Sequence, residues 1–125
     1  MADLVVMGGG MCGMLTGILL AKDGHTVTVF ERDPMEPPSD ADEAWDSWER
    51  KGVNQFRMLH YLQPRFRAEI EVEVPEIAAE LDALGAMRHQ PTEVLPSEYT
   101  GGVRDGDERF TSLTGRRPTL ETALA

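Results

Sequence analysis

The sequence of 125 residues contains little cysteine, few basic side chains and no long uninterrupted apolar segment. Its single cysteine, Cys12, cannot form an internal disulfide, so the cysteine content gives no sign of an oxidising compartment. Only 12 lysines and arginines stand against 22 acidic residues, which gives a net charge of -10. Because no basic stripe offsets this charge locally, the sequence predicts no nucleic-acid partner.

The most apolar segment, residues 4–20, is interrupted by glycines and has Asp3 rather than a basic region ahead of it. This pattern is unlike a signal peptide and too broken for a membrane span. We therefore expect a cytoplasmic protein. The hydrophobic fraction of 41% and the charged fraction of 27% are typical of a folded globular chain, and the length allows one domain.

The first thirty residues have the pattern of a strand, a helix and a second strand. Leu4–Met7 is a continuous apolar run, which is typical of a strand buried in a parallel sheet. Helical periodicity follows over Met11–Lys22, and Gly24 suits the end of that helix. Thr26–Phe30 is β-branched and aromatic and predicts a second strand. The segment therefore predicts a βαβ unit within an α/β fold.

The glycines between the first strand and the helix follow the spacing G-x-G-x-x-G. In this motif Gly8 permits the tight turn, Gly10 lets a pyrophosphate approach the backbone, and Gly13 allows close packing of helix and strand. Glu31 follows the second strand, eighteen residues after Gly13, near the expected spacing of about twenty for an acid that binds an adenosine ribose. A carboxylate there would also repel the extra phosphate of NADP. Together these residues predict a dinucleotide site.

Beyond the βαβ unit the pattern becomes helical and irregular. A proline-rich acidic segment from Asp33 to Asp42 predicts a loop. Helices are then predicted at Ala44–Lys51, Phe56–Val72 and Pro75–Leu84, strands of a β-hairpin at Val94-Leu95 and Arg109–Leu113, and a further helical pattern over Thr119–Ala125.

The motif set resembles the N-terminus of FAD-dependent class A monooxygenases and their halogenase-like and geranylgeranyl-reductase-like relatives. The specific part is residues 4–33, which end in the letters VFERD. Looser similarity continues through Gly52–Gln55, His60, Val74–Glu76 and Arg117–Leu120. The resemblance implies a Rossmann-like FAD-binding unit with an incomplete parallel sheet, and oxidation of a small-molecule substrate in the complete enzyme.

The resemblance also implies which residues touch the cofactor. Gly8, Gly10 and Gly13 would hold the pyrophosphate and Glu31 the ribose, with Arg32 beside it as a further candidate. Arg117 would reach the pyrophosphate or ribityl side of FAD from a helix start that packs back toward the glycine loop. No residue stands out as a catalytic acid, base or nucleophile, and no metal site is predicted; the flavin would supply the redox chemistry.

Two alternatives remain open at the level of sequence. The same loop and acid would serve an NAD(P)-binding dehydrogenase module, although such a module should continue with further helix–strand units soon after residue 33. Alternatively, the chain is a truncated, non-catalytic fragment that needs a partner chain. Since the family's downstream Gly-Asp flavin motif and substrate-binding sheet are missing, we expect residues 1–125 to be the N-terminal part of an FAD-binding domain. Residues 1–33 would form the βαβ unit and residues 34–125 the helical and hairpin segment.

Overall fold

The structure is a computed structural model that describes residues 1–34 and 36–125. Met35, within the loop predicted from Asp33 to Asp42, lies outside the described residues. The chain divides into two units, the first made of residues 1–58 and 116–125 and the second of residues 59–115.

The elements follow one another in a mixed α/β order. The strands are β1 (Asp3–Met7), β2 (Thr26–Phe30), β3 (Leu59–Leu62), β4 (Met87–His89) and β5 (Ser112–Arg116). The helices are α1 (Met11–Lys22), α2 (Ala41–Ser47), α3 (Pro64–Glu73), α4 (Pro75–Ala83), α5 (Pro91–Val94), α6 (Ser97–Thr100) and α7 (Arg117–Thr122), with a 3-10 turn at Asp107–Phe110.

The predicted βαβ unit is confirmed. Strands β1 and β2 pair in parallel, with Asp3 opposite Thr26 and Met7 opposite Phe30. Helix α1 spans the predicted Met11–Lys22, and Gly24 follows its end with a φ of +86°, in the left-handed region that favours glycine. The fold class is therefore α/β with a small parallel sheet of two strands.

The two faces of this small sheet differ. Helix α1 packs against both strands, and a Cβ at Gly17 would lie only 3.1 Å from Val29 Cγ2, so the helix approaches β2 closely. On the opposite face the side chains of Val5, Met7 and Phe30 are 62%, 79% and 56% exposed. A parallel sheet is ordinarily covered on both faces, so this face is left open in the first unit.

The rest of the first unit is held by a small apolar core and by the last helix. Ala44, Trp48 and Phe56 are buried together, and the Trp48 and Phe56 rings meet edge to face at 5.3 Å. Helix α2 packs against α7. Helix α2 begins earlier than the predicted Ala44 because the Asp40 carboxylate accepts hydrogen bonds from the Asp42 and Glu43 amides and caps the helix there.

The second unit differs from its predicted pattern in two places. The helix predicted over Phe56–Val72 is wrong at its start, since β3 occupies Leu59–Leu62 and α3 begins only at Pro64. Proline suits the first helical position and holds the preceding residue extended, so it separates strand from helix. Helix α4 is confirmed, and Gly85 follows it with a φ of +89°.

The antiparallel pairing predicted near the end of the chain is present, but its first strand was misplaced. Strand β4 at Met87–His89 pairs with β5, whereas Val94 belongs to helix α5 and Arg109 to the 3-10 turn. Pro91 starts α5, and the Gln90 side chain accepts a hydrogen bond from the Thr92 amide at 2.9 Å. This local cap outweighs the β propensity of the valine.

Candidate functional site

The glycine loop turns sharply between β1 and α1. Gly8 has a φ of +105°, and its amide donates to the Phe30 carbonyl at 2.7 Å, which continues the β1–β2 pairing into the turn. A Cβ at Gly13 would lie 1.8 Å from the Gly8 carbonyl oxygen, so only glycine fits there. A Cβ at Gly10 would meet no atom of the other described residues within 4 Å. The loop therefore leaves open space above Gly10, where α1 begins.

The start of α1 has no side-chain cap among the described residues. Its N-cap position is Gly10, which offers no side-chain acceptor to the first-turn amides. Such amides carry partial positive charge and can donate to an anion. The space above Gly10 and the uncapped helix start together fit a pyrophosphate.

Glu31 lies directly after β2 with its carboxylate against the glycine loop. Its Oε2 accepts from the Gly9 amide at 2.7 Å, and its Oε1 accepts from the Arg32 and Asp33 amides at 2.6 and 2.8 Å. Arg50 Nη2 also donates to Oε2 at 2.8 Å. Two carboxylate oxygens offer about four acceptor sites. A ribose hydroxyl would therefore share one of these oxygens or replace one of their present donors.

These contacts change the acidity of Glu31. Burial on its own raises the pKa of the carboxyl, but the amides of Asp33 and Gly9 and the charge of Arg50 act in the other direction and leave the pKa below its ordinary value. The side chain consequently stays ionised and acts as a hydrogen-bond acceptor at neutral pH.

Arg50 is not among the residues that the sequence predicts for the site. Its side chain is only 5% exposed, and its guanidinium contacts three carboxylates, at 2.8 Å from Glu31 Oε2, 3.3 Å from Asp33 Oδ2 and 2.9 Å from Glu121 Oε2. Its two terminal nitrogens also donate to the Gly9 carbonyl at 3.2 and 3.1 Å. No local pattern indicates this role, because Arg50 lies in an irregular segment nineteen residues after Glu31.

Arg117 reaches this network through a neighbour on its own helix. Its Nε donates to Glu121 Oε1 at 2.6 Å, and the other carboxylate oxygen of Glu121 lies beside Arg50. Glu121 is only 3% exposed, and the two arginines compensate the cost of burying its negative charge. Helix α7 begins at Arg117, as the following proline predicts. Contacts thus run from Arg117 through Glu121 and Arg50 to the glycine loop.

A cleft of about 460 Å³ opens beside the loop. Four of the predicted site residues line it, namely Gly8, Gly10, Glu31 and Arg32. Arg50 and Asp33 also line it, together with Met7, Phe30, Gly52 and Val53. Among the described lining residues neither Gly13 nor Arg117 appears; Gly13 instead packs under the loop, against Gly8. The volume is within the range of about 300–1,000 Å³ that small-molecule sites occupy.

Outside the cleft the described residues offer few groups with chemistry of their own. Within residues 1–34 and 36–125, no group of three or more His, Cys, Asp or Glu side chains could hold a metal ion. Cys12 is exposed in the first turn of α1. Over the same residues no helix combines the length and apolar character that crossing a bilayer requires.

Comparison with known proteins agrees with this geometry. A family model described as an NAD(P)-binding Rossmann-like domain matches residues 6–35, about a quarter of the chain. No curated protein matches the sequence. The matched residues include the glycine loop, all of α1 and β2, and Glu31. Residues 6–35 are thus similar to an NAD(P)-binding Rossmann-like domain, in agreement with their β1–α1–β2 geometry.

Proposed function

We propose that this chain is the FAD-binding part of a flavin-dependent oxidoreductase with monooxygenase-like chemistry on a small-molecule substrate. The observation that carries the proposal is the contact between the Glu31 carboxylate and the Gly9 amide at 2.7 Å. It brings an acceptor for ribose hydroxyls and an open phosphate-binding loop to the same cleft, which is the arrangement that an adenine dinucleotide requires.

Each half of the dinucleotide has a candidate partner. The pyrophosphate would lie over Gly10 at the start of α1, with Gly8 and Gly13 shaping the turn below it. The adenosine ribose would donate to Glu31, with Arg32 at the rim of the cleft. Arg117 is proposed to act on the pyrophosphate or ribityl side. When bound, the flavin supplies the redox chemistry, and these residues hold and orient it.

The course of the chain after β2 supports FAD over NAD. A compact NAD domain continues with further parallel strands. Here α2 follows, and within the described residues only β1 and β2 form the parallel sheet. The next strand, β3, pairs in a separate sheet with β5.

A second candidate is an NAD(P)-binding module of a dehydrogenase. It is favoured by the description of the family model that matches residues 6–35. Glu31 argues against NADP within this candidate, because its carboxylate would repel a phosphate on the ribose.

A competition titration separates the two candidates. The purified chain is titrated with FAD while flavin fluorescence is followed, and ADP, NAD+ and NADP+ are then added as competitors. We expect FAD to bind with one-to-one stoichiometry and ADP to compete, since ADP is the half that the ligands share. Binding of NAD+ without FAD would favour the dehydrogenase module. Absence of binding by all four would contradict both candidates.

A further inference from the structure

The peptide groups of Gly9 are held from both sides. The amide of Gly9 donates to Glu31 Oε2 at 2.7 Å, and the carbonyl of Gly9 accepts from Arg50 Nη1 and Nη2 at 3.2 and 3.1 Å. Arg50 Nη2 in turn donates to the same Glu31 oxygen at 2.8 Å. Loop, carboxylate and guanidinium thus form a closed set of hydrogen bonds.

Arg50 is itself fixed by surroundings that do not belong to the loop. Its Nε lies 3.3 Å from Asp33 Oδ2, and its Nη1 lies 2.9 Å from Glu121 Oε2 on α7. The guanidinium carbon lies 5.1 Å from the centre of the Trp48 ring. A planar guanidinium can donate in several fixed directions at once, whereas a lysine ammonium is a compact charge on a flexible stem. The contacts therefore require the shape of arginine and not only its charge.

We propose that Arg50 is a positioning residue that orders the glycine loop and directs the carboxylate of Glu31 toward the ribose. The Gly9 amide and carbonyl belong to the two successive peptide units on either side of its Cα, and the second unit also contains the Gly10 amide, which directly precedes α1. Fixing both units reduces the reorganisation that phosphate binding would otherwise require. The expected effect on nucleotide binding rests on the proposed function, whereas the effect on the loop needs no ligand.

The ligand-free test is amide hydrogen exchange by NMR in the Arg50→Lys variant. The Gly9 amide should exchange at least about tenfold faster than in the wild-type protein, because its acceptor Glu31 loses its fixed orientation. The Gly8 amide, which donates to the Phe30 carbonyl, is the internal reference and should change little. Unchanged Gly9 exchange would overturn the proposal.

Two further variants test whether faster Gly9 exchange could result from the loss of any buried arginine. Arg67 has a side chain 14% exposed and bonds Glu71 and two carbonyls in the second unit, so Arg67→Lys is the matched control and should leave Gly9 unchanged. If Arg50→Lys does not fold, Arg50→Gln combined with Glu121→Gln removes one charge of each sign. The same Gly9 measurement then decides the proposal.

The binding test compares ADP with 2′-deoxy-ADP by calorimetry. If Arg50 directs Glu31 toward the ribose, the wild-type preference for ADP should be about tenfold and should shrink to threefold or less in Arg50→Lys. A preserved ratio, or tighter ADP binding by the variant, would refute the directing role. The wild-type protein could fail to bind ADP while its Gly9 exchange still depends on Arg50. That result would refute the proposed function and leave the role of Arg50 in the loop intact.

Discussion

Replacing Gly13 with alanine tests the closest approach in the βαβ unit. The new Cβ would lie 1.8 Å from the Gly8 carbonyl oxygen and 3.0 Å from the Gly8 carbonyl carbon, whereas real Cβ atoms essentially never come closer than 3.0 Å. The loop or α1 must therefore move by more than 1 Å. The substitution thus overpacks the contact between the loop and the helix. Helix propensity alone predicts the opposite sign, a gain of about 1 kcal/mol for alanine over glycine inside α1.

We expect the steric clash to cost more stability than the gain in helix propensity provides. Overpacking typically costs about 1–3 kcal/mol, and a rigid backbone oxygen as the obstacle places Gly13→Ala at the upper end of that range. A loss of about 2–3 kcal/mol lowers the melting temperature by roughly 10 °C in a chain of this size. The assay is thermal unfolding followed by circular dichroism, with ligand absent.

Gly10→Ala is the matched control. Its Cβ would meet no atom within 4 Å in the described part of the chain, and its φ of -80° suits any residue. The melting temperature should therefore stay within a few degrees of the wild-type value. The same substitution should weaken ADP binding, because Gly10 lines the cleft. Equal melting temperatures for Gly13→Ala and wild type would refute the close packing on which the loop geometry depends.

Further expectations concern the charged residues of the site. Glu31→Ala should weaken adenine-dinucleotide binding by about 1.5–3 kcal/mol, and Cys12→Ala by much less; equal losses in a titration would refute the ribose assignment. Since the pKa of Glu31 is lowered in the folded protein, its contribution to stability is complete above its ordinary pKa of 4.5 and is lost as the pH falls through the lowered value. Urea unfolding of Glu31→Gln should therefore show a smaller loss of stability on acidification than the wild-type protein, and parallel curves would contradict this. Arg117→Met should lower FAD affinity about tenfold, whereas Arg65→Met, at an 89% exposed side chain, should leave it unchanged; identical affinities would exclude Arg117 from the site.

The parts of the fold that sequence predicted well are those with local causes. The β1–α1–β2 unit follows from an apolar run, glycines at fixed offsets and a β-branched segment, and each signal lies within a few residues of its effect. Strand β3 was missed because its four residues continue an apolar pattern that also fits a helix, and only Pro64 marks the boundary. Short apolar runs do not distinguish the two structures by periodicity.

In the candidate site, too, residues fixed by a local motif were predictable and residues held by distant contacts were not. Gly8, Gly10 and Glu31, which line one cleft, could be predicted as neighbours because a local motif fixes their spacing. Arg50 was missed because its contacts with Glu31 and Gly9 span nineteen and forty-one residues and depend on how an irregular segment folds back. Glu121 could have been suspected as an i,i+4 partner of Arg117, but its contact with Arg50 could not.

We propose that the glycine loop and Glu31 form one adenine-dinucleotide site. The most direct measurement is the change in amide chemical shifts of the isotope-labelled protein when ADP is added. We expect the largest changes at Gly10, at the first residues of α1 and at Glu31, and we expect them to require a higher ADP concentration in Gly10→Ala. The proposal would be contradicted if the largest chemical-shift changes fell in the second unit, at the separate cleft lined by Gln90 and Asp107.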